Sequence, residues 1–149
     1  MNILVTGASG FIGSEFLLGT NKILKKKYKI YAIVRSKKYQ KIYKNIKNII
    51  FIRKDLKNDL SILKSIKFNM VFHFAAQAHH DLPKKYNKLT MMDNTFATRN
   101  LIKNINKDNI FIFTSTDKVY NPNSKCNEIS RLKPQTYLAY QKIICEKII

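Results

Sequence analysis

Three of the chain's four glycines fall within one short stretch, Thr6-Gly7-Ala8-Ser9-Gly10-Phe11-Ile12-Gly13. Their spacing can do one kind of chemistry, the reception of a diphosphate. Gly7 lets the backbone turn sharply out of an apolar run. Gly10 lacks a Cβ where phosphate oxygens must approach, and Gly13 lets the following helix pack close to the sheet. The N–H groups around Ser9, Phe11 and Ile12 lie at a helix opening, where backbone donors and the helix dipole favour anions. About twenty residues on, Ile33-Val34-Arg35-Ser36-Lys37-Lys38 ends a second apolar run. An acidic residue there would bind the adenosine ribose of NAD. Arg35 and a neighbouring lysine would instead grip a 2′-phosphate, so NADP is expected over NAD. The competing reading makes Arg35 one more solvated cation.

Other reactive residue types carry less. His79-His80-Asp81 offers adjacent histidines without further ligands at suitable spacing, so no metal site is expected. Cys126 and Cys145 form no CxxC pair, and a reduced state in the cytoplasm is expected for both. The formal charge is +19. The cations are mostly lysines scattered through every segment, with no stripe of arginine and aromatics to stack or read bases, so nucleic-acid binding is not favoured. Binding of anions or nucleic acid by charge alone stays as a weaker alternative.

The positioning elements follow from apolar periodicity. Strands are expected at Asn2–Thr6, Lys29–Val34, Asn48–Arg53, Asn69–Phe74 and Asn109–Thr114. Helices are expected from Phe11 to about Lys27, over Asp59–Ile66, from about Thr90 to Ile105 and from Tyr137 to Ile149. The first helix would bury Phe11, Ile12, Phe16, Leu17, Ile23 and Leu24, with Gly19 a weak point. Strands alternating with helices predict an α/β fold, a doubly wound parallel sheet of Rossmann type with strand order 3-2-1-4-5. The 149 residues and 45% apolar content fit one dinucleotide-binding domain over residues 1–149. No stretch suits a membrane span, and no basic leader precedes the first strand. The apolar ending Glu-Lys-Ile-Ile suggests a truncated chain lacking a C-terminal substrate domain. The fifth strand would then be an apolar edge prone to self-association, with a homodimer as one outcome.

These residues resemble the extended short-chain dehydrogenase/reductase family, the NAD-dependent nucleotide-sugar epimerases, dehydratases and reductases. The glycine loop is similar to the family's own. Asp55-Leu56 resembles its adenine-contacting Asp-Leu pair. His73-Phe74-Ala75-Ala76-Gln77 resembles its "HLAA" strand end, whose small residues pass beneath the cofactor. Asn94, Ala97-Thr98 and Asn100-Leu101 resemble its "NxxGTxNLL" helix, and Ser115-Thr116-Asp117-Lys118-Val119-Tyr120 its "SSxxVYG" segment. The resemblance covers nearly all of this chain but about the first half of a usual member.

It implies hydride transfer between a nicotinamide and a nucleotide-activated sugar. It also implies catalysis by a Ser or Thr, a Tyr and a Lys. Thr116 matches the hydroxyl and Lys142 the lysine, which also bonds the nicotinamide ribose. An unperturbed tyrosine titrates near pKa ~10, so a neighbouring ammonium is needed to favour its phenolate. The family's YxxxK spacing puts both groups on one helix face. Here Leu138 stands four residues before Lys142. Tyr137 is the nearest replacement, and needs a local bulge or a non-helical start, while Tyr140 is expected to serve packing. Asp117 beside Thr116 is a candidate general acid or a solvated loop residue. Two functions therefore compete: an enzyme acting on a nucleotide sugar, and a cofactor-binding fragment without turnover.

Overall fold

The computed structural model describes residues 1–23, 28–36, 43, 46, 48–78, 84–122 and 125–149. The proposed extension of the first helix to Lys27, the burial of the Ile23 side chain and of Leu24, the lysines at 37 and 38, and the His79-His80-Asp81 cluster lie outside what is described.

Five strands form one parallel sheet: β1 (Asn2–Thr6), β2 (Lys29–Val34), β3 (Ile49–Arg53), β4 (Met70–His73) and β5 (Ile110–Phe113), in the order β3-β2-β1-β4-β5. The expected order is thus the observed one. Each strand is a short β-branched or aromatic run, suited to a sheet with both faces covered. Alternate side chains enter opposite cores. Leu4, Ile33, Ile52 and Val71 pack on one side with Leu63, Phe68 and Leu101. Ile3, Val5, Ala32 and Val34 pack on the other with Leu17 and Tyr43.

Helix α1 (Phe11–Ile23) runs through Gly19 without a break. Its buried face differs from the expected one. Leu17 is fully buried and Phe16 packs on Phe72 and Phe74, but Phe11 is 86% exposed and Ile12 54%. Both residues belong to the first turn, which points beyond the sheet end rather than onto it. The helix expected over Asp59–Ile66 is a short 3-10 turn, Ser61–Ser65, which buries Leu63. One turn suffices there because Leu60, Leu63 and Phe68 already plug the core.

The next helical run starts earlier than its periodicity suggests. Helix α2 (Asn87–Met91) passes through a π turn (Met92–Phe96) into α3 (Ala97–Lys103) with helical backbone throughout. Helix α4 (Tyr137–Ile148) packs against the π turn and α3. No helix among the described residues is long and apolar enough to cross a membrane. Cys126 is exposed and Cys145 buried, and neither is in a disulfide.

Candidate functional site

The strand order reverses direction between β1 and β4, and there the loops leaving both strands splay apart at the carboxyl edge of the sheet. Such a switch point is where open α/β sheets bind ligands. Gly7 adopts φ +66°, and a Cβ on it would lie 2.6 Å from the Ala75 nitrogen. A side chain at 13 would run into the Gly7 carbonyl and lie 2.9 Å from the Ala8 Cα. Gly10 is different: its own Cβ would meet only the Gly7 oxygen, at 3.2 Å. Two of the three glycines are therefore demanded by the fold, and the third keeps space open above it. The Gly10 N–H is spent on the Gly7 carbonyl at 2.9 Å. Incoming anions are left with the next amides, at Phe11 and Ile12, whose apolar side chains point into solvent.

A cleft of about 290 Å³ opens beside this turn. It gathers Gly7, Ser9, Gly10, Arg35, Asp55, Leu56, Ala75, Ala76 and Gln77 from the sequence-derived set, and adds Ile33, Lys54, Phe74, Asp93 and Ala97. Asp55 is fixed by accepting the Lys57 N–H at 2.9 Å, with the Lys57 ammonium 3.8 Å from its other oxygen. Lys57 also bonds the Asp93 carboxylate, which raises the lysine's pKa. Lys57 and Asp93 are site-bordering residues that the sequence did not single out. Asp93 adjoins the recognised Asn94, the one signal that could have found it.

Beyond Asp55 the cleft continues into a shallower mouth lined by Arg35, Arg53, Lys54, Asn58 and Asp59. Parallel pairing sets Val34 opposite Arg53, so Arg53, the last residue of β3, and Arg35, the residue after β2, lie at adjacent strand ends. Lys54 lies 3.6 Å from Asp59, while among the described residues neither arginine has a carboxylate at ion-pair distance. The mouth therefore keeps two guanidinium groups available to an anion.

A buried polar chain backs the cleft. His73 is 1% exposed, and both its ring nitrogens meet threonines: Nδ1 faces the Thr6 hydroxyl at 2.6 Å and Nε2 the Thr98 hydroxyl at 2.8 Å. Thr98 donates its own hydrogen to the Asn94 carbonyl, so it can only accept from Nε2–H. Thr6 then donates to Nδ1 while accepting the Ala75 N–H at 3.3 Å. That assignment requires a neutral imidazole, and burial with the nearby Lys142 charge supplies it by lowering the pKa to about 3. Both ring nitrogens are thus spent on threonines inside the fold.

Asn94 is also buried. Its Oδ1 accepts the Gln77 N–H at 2.7 Å, and its Nδ2 donates to the Gln77 carbonyl and to Gln141 Oε1, the latter at 2.6 Å. The asparagine thereby holds the Gln77 segment from behind the cleft. Gln141 was not anticipated from sequence, because nothing in its spacing marks a polar side chain as buried.

The remaining candidates follow β5. The Thr116 hydroxyl caps a 3-10 turn (Asp117–Val119), accepting from the Lys118 N–H and bonding Asp117 Oδ1 at 3.2 Å. Lys142 is 5% exposed, and its ammonium donates to the Thr114 carbonyl at 2.6 Å and sits 4.4 Å from the Phe113 ring centre. Burial lowers its pKa, opposed by Cys145 and Glu146. Tyr137 is the first residue of α4, behind a Thr136 cap that accepts the Ala139 N–H at 3.1 Å. Its ring neighbours Tyr140, which is 48% exposed rather than packed. With α4 regular from its start, five residues turn roughly 140° between Tyr137 and Lys142. Leu138, on the lysine's side, is buried. The structure thus assembles the glycine loop, Arg35, Asp55, Leu56 and Ala75 to Gln77 around one cleft. Thr116, Asp117, Tyr137 and Lys142 stand apart from its lining, after the neighbouring strand.

Comparison with known proteins agrees with this geometry. The NAD dependent epimerase/dehydratase family matches residues 3–149. The dTDP-D-glucose 4,6-dehydratase of Homo sapiens is 30% identical over 79% of this chain and 36% of its own length. The capsular polysaccharide biosynthesis protein CapD of Staphylococcus aureus is 28% identical over 87% of this chain and 24% of its own. The solved structure of a UDP-glucuronic acid 4-epimerase from Bacillus cereus in complex with NAD superposes with TM-score 0.80 at 26% identity, over 99% of this chain and 50% of the other. The chain thus spans about half of that structure, and less of the two curated relatives.

Proposed function

Because this chain belongs to the NAD-dependent epimerase/dehydratase family, we propose that it binds a nicotinamide dinucleotide in the switch-point cleft and supports redox chemistry on a nucleotide-activated sugar. The observation that carries the reading is the glycine turn. At Gly10, directly before two helix-opening amides, a Cβ would meet a single atom, the Gly7 oxygen at 3.2 Å, a far milder conflict than at Gly7 or Gly13. A glycine that packing demands least of the three, at a helix opening, is explained by a ligand's phosphates. Asp55 and Leu56 would take the adenine end and Ala75 to Gln77 would pass beneath the remainder, with Asn94 holding Gln77 in place.

Arg35 and Arg53 add the finer choice. With no carboxylate at the end of β2 and two guanidinium groups in the mouth, NADP is preferred over NAD. When bound, the dinucleotide supplies a two-electron acceptor and donor for a sugar carbinol. The chain's own groups would do the rest. Tyr137 exchanges a proton with the sugar hydroxyl, the Thr116 hydroxyl orients it and Asp117 serves as general acid. Lys142 supplies positive charge and a donor to the nicotinamide ribose. We place the protein in the cytoplasm, where Cys126 and Cys145 would stay reduced. Ile110, 61% exposed on the edge strand β5, offers a surface for homodimer formation.

The test is a fluorescence titration of the chain with NADPH and NADH, followed by assays with UDP- and dTDP-linked sugars. Saturable binding, tighter for NADPH, is expected. Absence of saturable binding at millimolar dinucleotide overturns the proposal. A second reading, binding without turnover, is favoured by the buried Leu138 on the lysine's helix face and by Tyr137 turned away from it. Turnover with any sugar nucleotide refutes that alternative.

A further inference from the structure

Gln141 sits in α4 directly before Lys142 and is fully buried. The hydrogen-bond directions around it are fully determined. Thr90 donates its hydroxyl hydrogen to the Asn87 carbonyl at 3.0 Å, so its oxygen can only accept from the Gln141 amide, at 2.9 Å. That fixes the Gln141 nitrogen toward Thr90 and its oxygen toward Asn94. Asn94 must then present its NH₂ to Gln141, which turns its own oxygen to the Gln77 N–H. The backbone N–H of Gln77 can only donate, so the far end of the chain of bonds agrees with the near end.

We infer that Gln141 is a positioning residue: through Asn94 it holds the Gln77 segment in its ligand-receiving place and ties that segment to the helix that carries Lys142. The inference rests on the dinucleotide reading of the cleft. It goes beyond it by making α4 and the cleft floor one mechanical unit. The side chain's length is what the task needs. A shorter residue would not span the gap between Thr90 and Asn94, and an apolar one would leave the Asn94 amide with a single partner, the Gln77 carbonyl at 3.2 Å. An asparagine amide so released can rotate and drop the Gln77 N–H.

The test combines a binding cycle with amide exchange. Gln141→Met, Asn94→Ala and the double variant are titrated with NADPH, and exchange of the Gln77 and Val5 amides is followed by NMR. Gln141→Met should weaken NADPH about five- to tenfold, the worth of roughly one hydrogen bond. The double variant should be no weaker than Asn94→Ala alone, since Gln141 acts through Asn94. The Gln77 amide should exchange faster while Val5, in the core strand β1, is unchanged. Unaltered affinity in Gln141→Met, or losses that simply add, overturns the inference. If the wild-type chain binds no dinucleotide, the functional proposal fails, and exchange decides this one separately: selective loss of protection at Gln77 sustains it, and uniform or no loss overturns it. Should Gln141→Met not fold, Thr90→Val removes the anchor at the far end and must act in the same direction.

Discussion

Replacing Gly10 by alanine separates what the fold needs from what the ligand needs. The added Cβ meets the Gly7 oxygen at 3.2 Å and nothing closer, and Gly10 has no positive φ to strain. Gly10 immediately precedes α1, where alanine is a poorer cap than glycine, a cost of about 0.5–1 kcal/mol. Reduced freedom of the unfolded chain returns about 0.4–1 kcal/mol. The two nearly cancel, which leaves relief of the 3.2 Å contact with the Gly7 oxygen as the net cost, so the midpoint of thermal unfolding should fall only slightly. Binding should suffer far more. A methyl group in the approach path displaces a phosphate oxygen from the helix-opening amides, and a hydrogen bond to a charged group is worth about 1.5–3 kcal/mol. That corresponds to a rise in Kd of about 12- to 150-fold. Gly7→Ala is the contrasting variant. It combines a left-handed residue, which costs about 1–2 kcal/mol, with a Cβ only 2.6 Å from the Ala75 nitrogen. Its unfolding midpoint should fall well below that of Gly10→Ala. Differential scanning fluorimetry and NADPH titration read both quantities. A Gly10→Ala protein that binds NADPH as tightly as the wild type would refute the reasoning, because the open position would then serve no ligand.

Other outcomes are expected at the cleft mouth, on α4 and at His73. Charge reversal by Arg35→Asp should invert the preference between NADPH and NADH, and Arg53→Ala should weaken NADPH while sparing NADH; equal effects on both ligands would remove the mouth from the site. Tyr137→Phe should cut turnover by about 10²–10⁴ with dinucleotide affinity unchanged if that phenol moves the proton, which single-turnover assays would show. His73 is neutral in the fold, with its pKa at about 3 against 6.5 for an unfolded histidine. The unfolded state therefore takes up a proton that the folded state refuses, and stability is complete above pH ~6.5 and declines as the pH falls toward 3, by about 1.4 kcal/mol per unit. Urea unfolding between pH 7 and 4 should show that slope, and His73→Gln should flatten it. Lys142→Met should abolish turnover while leaving the helical circular dichroism intact, since the ammonium's burial is itself unfavourable.

Much of the architecture was legible because it rests on local pattern. Apolar runs of four to six residues, the glycine turn and intervening amphipathic stretches specify a parallel sheet and its order without long-range information. Element ends and helix types were less so. Phe11 and Ile12 look like core residues by periodicity, but they sit in the turn that overhangs the sheet end. The 3-10 turn at Ser61–Ser65 puts Leu63 into a core shared with strand residues, and the π turn at Met92–Phe96 packs against α4, partners that lie far along the chain. The cleft residues were readable where backbone chemistry demands a residue type, as at Gly7 and Gly13. They were unreadable where an ion pair or buried amide depends on a partner far along the chain. Lys57 meets Asp93 across 36 positions, and Asn94 meets Gln141 across 47.

Whether the chain turns over a sugar depends on the register of α4. Lys142 falls where the resemblance places it, and the residue four before it is leucine. A distorted first turn could bring Tyr137 into that position, but Thr136 caps the helix by accepting the Ala139 N–H, and Tyr140 N–H bonds the Thr136 carbonyl at 3.0 Å. Both bonds belong to a regular first turn, and they leave no slack for a bulge before Leu138. The lysine is anchored too, on the Thr114 carbonyl at the end of β5. Moving Tyr137 onto the lysine's face would therefore mean unwinding the first turn, at the cost of the cap, about 1 kcal/mol. That is a small sum against substrate binding energy, and it defines what an active complex must do. If Tyr137 is the acid/base, breaking the cap by Thr136→Ala should raise or preserve turnover while lowering stability. If turnover instead falls with the cap, the regular helix is the working form and the phenol that moves the proton is not Tyr137.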